Sequence, residues 1–175
     1  RLKGVFHRMI QTIDGLLPDT DYEIMLVRAN EASETVTFHT EPEPITLNVR
    51  DFGAFGDGAH DDTSAIQAAI LCCPKNARVL ISKGTYLVTA LFLKSDMILE
   101  LQENAVLAGI YDRARTPILP GQIEYDNEDG YYNLGSWEGN PIDSFASMIT
   151  GIHVKNVTIC GKGVLDGRAD FENWW

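Results

Sequence analysis

The feature that most constrains the fold is a series of short apolar runs that recur at nearly constant spacing. The runs begin at Val79, Thr85, Leu91, Met97 and Ala105, and the rhythm resumes at Ser147, Ile152, Val157 and Val164. Three-residue polar breaks separate several runs, and such breaks are not the two-residue turns of tight hairpins. Short strands at a fixed spacing favour a solenoid, in which the chain coils and each rung stacks on the one before it.

One short amphipathic helix is predicted just before these runs. Its apolar positions are Ile66, Ala69, Ile70 and Cys73, which recur at helical spacing. Pro74 ends it, and Asp61 and Asp62 stand at its start, where carboxylates complement the helix dipole and accept hydrogen bonds from free backbone N–H groups. We therefore interpret this acidic pair as a helix cap rather than as a catalytic pair. The helix is expected to cover the exposed apolar end of the first rung.

Two prolines within residues 42–46 predict a linker between modules, because they hold the chain extended and remove backbone donors. Residues 1–41 are predicted to form short strands, and residues 47–175 the solenoid. Leu16, Pro18, Thr20 and Tyr22 fall at two-residue spacing and resemble the tyrosine corner of fibronectin type III domains. A whole domain of that kind needs about 100 residues. This segment is therefore expected to supply only the last strands of such a β-sandwich.

Composition excludes some partners. The chain has 175 residues, 14 Lys and Arg against 25 Asp and Glu, and a formal net charge of −11. Nucleic acid is not an expected partner, since it requires clustered basic residues, and no apolar run is long enough to span a membrane. The chain begins with Arg1 and shows no export signal in its first residues. Composition and the first residues therefore do not indicate the cellular compartment of the protein.

Residues 51–70 resemble the opening of right-handed parallel β-helix proteins of the pectate lyase-like superfamily. Further matches narrow the resemblance to polygalacturonases of glycoside hydrolase family 28; they are residues 84–86, 91–95, 137–139 and 157–167, and the closing Trp174 and Trp175. The resemblance covers about residues 45–175. It implies an all-β fold, a right-handed parallel β-helix with a capping helix, joined here to a partial fibronectin-like sandwich. It also suggests an extracellular or periplasmic location.

The same resemblance implies inverting hydrolysis of polygalacturonate or a related pectic polysaccharide. Such an enzyme needs an acid and a base carboxyl group about 6.5–9.5 Å apart. The family places its aspartates in Asn-Thr-Asp and Asp-Asp motifs, followed by Gly-His-Gly and Arg-Ile-Lys motifs, and none of these occurs here in that setting. We therefore expect no catalytic residue in this chain, catalytic rungs beyond Trp175, and no activity in the isolated chain.

The rhythm breaks between residues 111 and 146, where a long loop is predicted. It is rich in aromatic and acidic residues, among them Tyr125, Tyr131, Tyr132, Trp137 and Glu138. Aromatic faces stack on sugar rings, so we predict substrate binding by Trp137, Glu138, Tyr131 and Tyr132. In the alternative interpretation, these aromatic residues only anchor the loop to the solenoid.

An acidic run in this loop contains Glu124, Asp126, Glu128 and Asp129, and its spacing matches no EF-hand, so neither metal nor cofactor is expected. A polyanionic substrate requires local positive charge in an acidic chain. The candidates are Arg113, Arg115, Lys155, Lys162 and Arg168. Two other functions stay open: a non-catalytic carbohydrate-binding or tail-spike-like β-helix, and a lyase or epimerase on the same fold. Unpaired strand edges predict self-association.

Overall fold

The computed structural model describes residues 10, 12–13, 15–28, 31–124 and 130–173. The chain divides into two compact units, Arg1–Pro44 and Ile45–Trp175. The division falls after the second proline of the Glu-Pro-Glu-Pro segment. Within the described residues, no helix is long and apolar enough to cross a membrane.

The first unit contains an antiparallel pair, β1 (Asp21–Arg28) and β2 (Glu31–His39). Tyr22 lies opposite Phe38, and their rings stack with centroids 5.7 Å apart. The backbone N–H of Leu17 donates to the hydroxyl oxygen of Tyr22 at 2.7 Å. The Tyr hydroxyl of a tyrosine corner likewise bonds to the backbone a few residues upstream. Membership of the fibronectin type III class stays a prediction.

The second unit is a parallel β-helix built from three sheets, with its strands numbered in chain order. The first sheet contains β3 (Thr46–Asn48), β5 (Ala77–Ile81), β8 (Met97–Leu101) and β17 (Val157–Gly161). The second contains β4 (Asp57–Asp61), β6 (Gly84–Val88), β9 (Ala105–Gly109) and β18 (Val164–Asp166). The third pairs β7 (Leu91–Phe92) with β16 (Ile149–Thr150). All neighbours within these three sheets are parallel, as in the predicted solenoid.

The core runs along the inside of the coil because alternate residues of each strand point inward. Val79 pairs with Leu99 and Ile81 with Leu101, so buried side chains stack from rung to rung. The helix α1 (Thr63–Cys72) closes one end of this core. Its buried residues are Ile66, Ala69 and Ile70, with Cys73 buried just beyond the end. The predicted helix and its apolar face are confirmed.

The corners before the first sheet share one backbone conformation. Asn76, Asp96 and Asn156 each precede a strand of that sheet, and all three have a positive φ, between 54° and 59°. Asn and Asp tolerate this left-handed region better than other residues with a side chain. The N–H of Asn76 donates to the carbonyl of Asp96 at 2.7 Å, and the Asn156 amide donates to the Asp96 carboxylate at 2.7 Å. Stacked corners therefore fix the register of successive rungs.

The capping role predicted for the acidic pair is wrong for Asp62. This residue is the N-cap of α1 by position, but its side chain makes no capping hydrogen bond. Its carboxylate instead accepts from the backbone N–H groups of Phe55 at 2.6 Å and Gly56 at 3.0 Å. The loop before the helix folds back onto the helix start, so each oxygen of the Asp62 carboxylate accepts one hydrogen bond from that loop. Asp61 does bind the helix start, because it accepts from the N–H and hydroxyl of Thr63.

Candidate functional site

The predicted long loop is a small folded insertion between β9 and β16. A short 3-10 helix, Arg113–Arg115, leads into it. Three antiparallel pairs build it: β10 (Ile118–Leu119) with β15 (Ser144–Phe145), β11 (Gln122–Glu124) with β12 (Tyr131–Asn133), and β13 (Ser136–Trp137) with β14 (Asn140–Pro141). The outer pair closes the base, and two hairpins extend from it.

Gly121 lies where the two hairpins meet. Its N–H donates to the carboxylate of Asp143 at 2.8 Å, and its carbonyl accepts from the N–H groups of Leu134 and Gly135. A Cβ atom at this position would lie 2.3 Å from the backbone nitrogen of Ile142. Backbone contact this close requires glycine. The two hairpins are therefore held in a fixed relation to each other.

Trp137 stands beside the turn of the β13–β14 hairpin. Glu138 and Gly139 form this turn, with φ of 49° and 85°, and Trp137 lies opposite Asn140. Two consecutive residues with positive φ are typical of a type I′ hairpin turn. The Trp137 residue is 70% exposed, which is unusual for the side chain that buries the most apolar surface. The structure thus presents an indole and the neighbouring Glu138 to solvent on a short hairpin.

Tyr131 and Tyr132 are adjacent on β12, so their side chains point to opposite faces of the strand. The ring of Tyr132 lies 4.2 Å, centroid to centroid, from the ring of His153, which belongs to the solenoid. This contact ties the β12 hairpin to the solenoid, while Tyr132 stays 41% exposed, so substrate binding by Tyr132 and the anchoring alternative both stay predictions. The four predicted binding residues therefore fall on two separate hairpins. Tyr125 and the acidic residues Asp126, Glu128 and Asp129 lie outside the described residues.

A cleft of about 330 Å³ lies at the carboxyl end of the second sheet. Its lining residues are Gly58, Ala59, Asp61, Leu87, Ile110, Tyr111, Asp112, Arg115 and Arg168. Arg115 forms an ion pair with Asp61, and the guanidinium carbon of Arg168 lies 4.8 Å from the centroid of the Tyr111 ring. Two of the five basic candidates from the sequence meet here. Tyr111, two residues after the end of β9, was not among the residues predicted to bind substrate.

Carboxylates around this region have structural partners. Asp57 accepts from the backbone N–H groups of His60 and Ala59 and from the His60 ring. These hydrogen bonds, the backbone bond from His60 first among them, hold the pKa of Asp57 well below its usual range. The described part of the chain contains no group of three or more His, Cys, Asp or Glu residues that could hold a metal ion.

Stacked parallel sheets, a helix over the first rung and a folded insertion define a protein of the pectate lyase-like class. A family model described as rhamnogalacturonase A/epimerase, pectate lyase-like, matches residues 46–168. The chain belongs to this family. The predicted right-handed parallel β-helix and the resemblance to glycoside hydrolase family 28 are confirmed by similar proteins and structures.

An exo-poly-alpha-D-galacturonosidase of Dickeya chrysanthemi is 35% identical over 172 residues, which make up 93% of this chain and 27% of that protein. The family 28 exopolygalacturonase structure of Yersinia enterocolitica has a TM-score of 0.70 at 37% identity, over 89% of this chain and 27% of that one. An exopolygalacturonase structure from Thermotoga maritima has a TM-score of 0.61 at 30% identity, over 76% of this chain and 28% of that one. The chain thus spans about a quarter of the length of these relatives.

Proposed function

We propose that this chain is the solenoid-opening portion of a glycoside hydrolase that cleaves polygalacturonate, or a related pectic polysaccharide, by inverting hydrolysis. The family membership and the two exopolygalacturonase structures support the reaction class. Within this chain, the proposed role is substrate binding by the exposed hairpin that carries Trp137 and Glu138. Tyr131 supplies a further exposed ring, and Tyr132 holds its hairpin against the solenoid.

Catalysis is proposed to require residues other than those of this chain. Inversion needs one carboxylic acid to protonate the leaving oxygen and one carboxylate to activate water. The carboxylates of Asp57, Asp61 and Asp62 are each bound to backbone N–H groups, which suits turns and loops rather than proton transfer. The 175 residues also lack the motifs that carry the family's catalytic aspartates. The pure chain should therefore release no reducing ends from polygalacturonate, and measurable release would contradict this part of the proposal.

The observation that carries the binding role is the exposure of Trp137. A hairpin with a type I′ turn carries this indole, and the glycine junction at its base joins the hairpin to the rest of the insertion. Flat aromatic faces pack on the apolar faces of pyranose rings while the sugar hydroxyls stay solvated. The carboxylate of the neighbouring Glu138, which is exposed, is expected to accept hydrogen bonds from those hydroxyls.

The test is oligogalacturonate binding to the 175-residue chain, measured by calorimetric titration. Trp137→Ala should weaken binding about twofold to tenfold, because one aromatic contact of this kind is worth about 0.5–1.5 kcal/mol. Phe171→Ala is the matched control, since Phe171 is 91% exposed outside the insertion. Equal affinities for the wild type and Trp137→Ala would remove the proposed role.

The reaction class has its own test in any longer protein that carries this chain. Saturated products with inverted anomeric configuration are expected from hydrolysis. Unsaturated products would identify a lyase and overturn the hydrolase assignment. Binding without any turnover would favour the non-catalytic carbohydrate-binding alternative.

A further inference from the structure

We propose that the cleft beside Tyr111 and Arg168 is a second binding site, which takes the carboxylate of a uronic acid residue. The inference rests on the proposed pectic substrate and adds a site apart from the Trp137 hairpin. Its basis is an open cleft, one guanidinium group without an ion-pair partner in the described residues and an exposed aromatic ring, which come together from distant parts of the sequence.

The walls of the cleft come from the ends of successive rungs. Gly58, Ala59 and Asp61 belong to β4, while Leu87 lies near the end of β6. Segment 110–112 follows β9, and Arg168 follows β18. Because these strands are hydrogen-bonded neighbours in one sheet, the sheet fixes the distances between the residues that line the cleft. A volume of about 330 Å³ lies at the lower end of the range for ligand pockets, which suits one sugar residue.

The acidic groups of the cleft are already occupied. Asp61 binds Arg115 and the N–H and hydroxyl of Thr63. Asp112 accepts from the N–H of Ala114 at 3.0 Å and so begins the 3-10 helix. An incoming anion would therefore meet one carboxylate, that of Asp61, whose charge is paired with Arg115, and one, that of Asp112, which a backbone N–H holds in place.

Arg168 is the cation that is left for a ligand. Its backbone is held in the left-handed region, with φ of 52°, and its N–H donates to the Asp166 carboxylate at 2.9 Å. Within the described part of the chain, its guanidinium carbon lies over the Tyr111 ring, and the guanidinium group has no hydrogen-bond acceptor or ion-pair partner. A cation–π contact of this kind favours a position beside the ring while the N–H donors stay available.

These groups fit a uronate better than a neutral sugar. The planar fork of a guanidinium group binds the two oxygens of a carboxylate in parallel, which an ammonium group cannot do. Tyr111 is 44% exposed and offers apolar surface to the sugar ring beside that carboxylate. The structure therefore predicts selectivity for free galacturonate over its methyl ester, in which the carboxylate charge is lost.

The experiment titrates the 175-residue chain with digalacturonate and, separately, with its methyl ester. The NMR signals of the Tyr111 ring report on the cleft, and calorimetry gives the affinity. Digalacturonate should shift these signals and the ester should not. Arg168→Gln should weaken digalacturonate binding at the cleft about tenfold or more, because a hydrogen bond to a charged group is worth about 1.5–3 kcal/mol.

Two further variants separate geometry from charge. Arg168→Lys keeps the charge but loses the fork, so it should recover only part of the affinity. Lys83→Gln is the charge-matched control, since Lys83 is exposed and lies outside the cleft, and it should bind as the wild type does. The proposal is overturned if Arg168→Gln and the wild type shift the Tyr111 signals equally, or if acid and ester bind alike.

The outcomes also separate this site from the proposed function. Loss of binding in Trp137→Ala with none in Arg168→Gln would remove the cleft site and leave the pectic role of the chain intact. Loss in Arg168→Gln alone would establish the cleft and remove the Trp137 role. No binding of either sugar by the wild-type chain would contradict both proposals.

Discussion

The carboxylate of Asp62 is 1% exposed and binds two backbone donors from the loop before α1. Each oxygen accepts one hydrogen bond, from Phe55 and from Gly56. A charge that is buried and fully hydrogen-bonded stabilises only while both bonds persist. The side chain thus fixes the loop that carries the chain from the first sheet to the second.

Asp62→Asn should destabilise the β-helix by about 1–3 kcal/mol, because the amide has one acceptor oxygen and its NH2 group would face a backbone N–H. Urea unfolding, followed by circular dichroism, measures this change in the free energy of unfolding. Asp51→Asn is the matched control, since Asp51 is exposed in the nearby 3-10 helix Val49–Phe52 and should change little. Equal unfolding midpoints for both variants would show that the buried carboxylate does not hold the loop.

The sequence could not separate the roles of Asp61 and Asp62. Both are acidic residues at the start of a predicted helix, and local rules assign both to capping. What distinguishes them is the return of the loop residues Phe55 and Gly56 onto the helix start, which is a tertiary contact. Local pattern therefore predicted the helix correctly and the function of one of its first carboxylates incorrectly.

Gln67 shows how α1 replaces a strand. Its side-chain amide donates to the carbonyl of Phe92 at 2.9 Å and accepts from the Phe92 N–H at 2.8 Å. The neighbouring residues Leu91 and Leu93 donate instead to the carbonyls of Met148 and Thr150 in the next rung. Among the described residues, strand β7 pairs with β16 on one side only. On its other side, the Gln67 side chain makes the two backbone hydrogen bonds that a strand of a preceding rung would make.

Gln67→Leu should destabilise the β-helix by about 1–3 kcal/mol, because both backbone groups of Phe92 lose their partner. Gln67→Glu keeps an acceptor for the Phe92 N–H, but an ionised carboxylate has no proton to donate to the Phe92 carbonyl. Protonation restores that donor, so the pKa of the introduced carboxyl is raised in the folded state. The deficit of Gln67→Glu should therefore shrink as the pH falls toward about 4, while that of Gln67→Leu stays constant.

Thermal unfolding of both variants and the wild type across this pH range measures the effect. A deficit in Gln67→Glu that does not depend on pH would contradict the proposed hydrogen bond.

The elements themselves were largely predictable. The apolar runs correspond to strands: those that start at Val79, Thr85 and Met97 fall in β5, β6 and β8. They were visible in the sequence because the buried face of a strand repeats every second residue. The corners at Asn76 and Asp96 were also predictable, because Asn and Asp favour turns and each of these residues directly precedes a strand of the first sheet. Inside the insertion, strands of two or three residues are too short for alternation to show. Its antiparallel pairs were therefore not predicted.

At the scale of the whole molecule, charge and fold act together. A net charge of −11 repels a polyanionic chain at long range, and salt screens this repulsion over about 8–10 Å. Attraction must then come from local groups, and coiling of the chain brings Arg115 and Arg168 to one cleft although 53 residues separate them in sequence. Composition shows that local positive charge is needed, and the rung register shows that Arg168 is the guanidinium group left for an anion in this cleft, since Arg115 is paired with Asp61.

The outer edge of the last described rung is the surface most suited to self-association. Strands β17 and β18 each pair with one neighbour in the described part of the chain. Ile159 and Leu165 continue the stacks of buried side chains that run through Leu99 and Leu107, yet they are 46% and 48% exposed. Unpaired backbone donors and acceptors beside exposed apolar side chains form a template for another strand.

We therefore expect the 175-residue chain to associate as its concentration rises, which light scattering measures directly. Val164→Lys should shift the association to higher concentration, because a charge on an edge strand opposes pairing with a second edge. Val164 is 52% exposed and lies in register with Val106 rather than in the buried stack, so the fold should tolerate the lysine. Leu71→Lys, at a 66% exposed position on α1, is the control and should leave association unchanged. A wild-type chain that stays monomeric at high concentration, or equal effects of the two lysines, would rule out this edge as the contact.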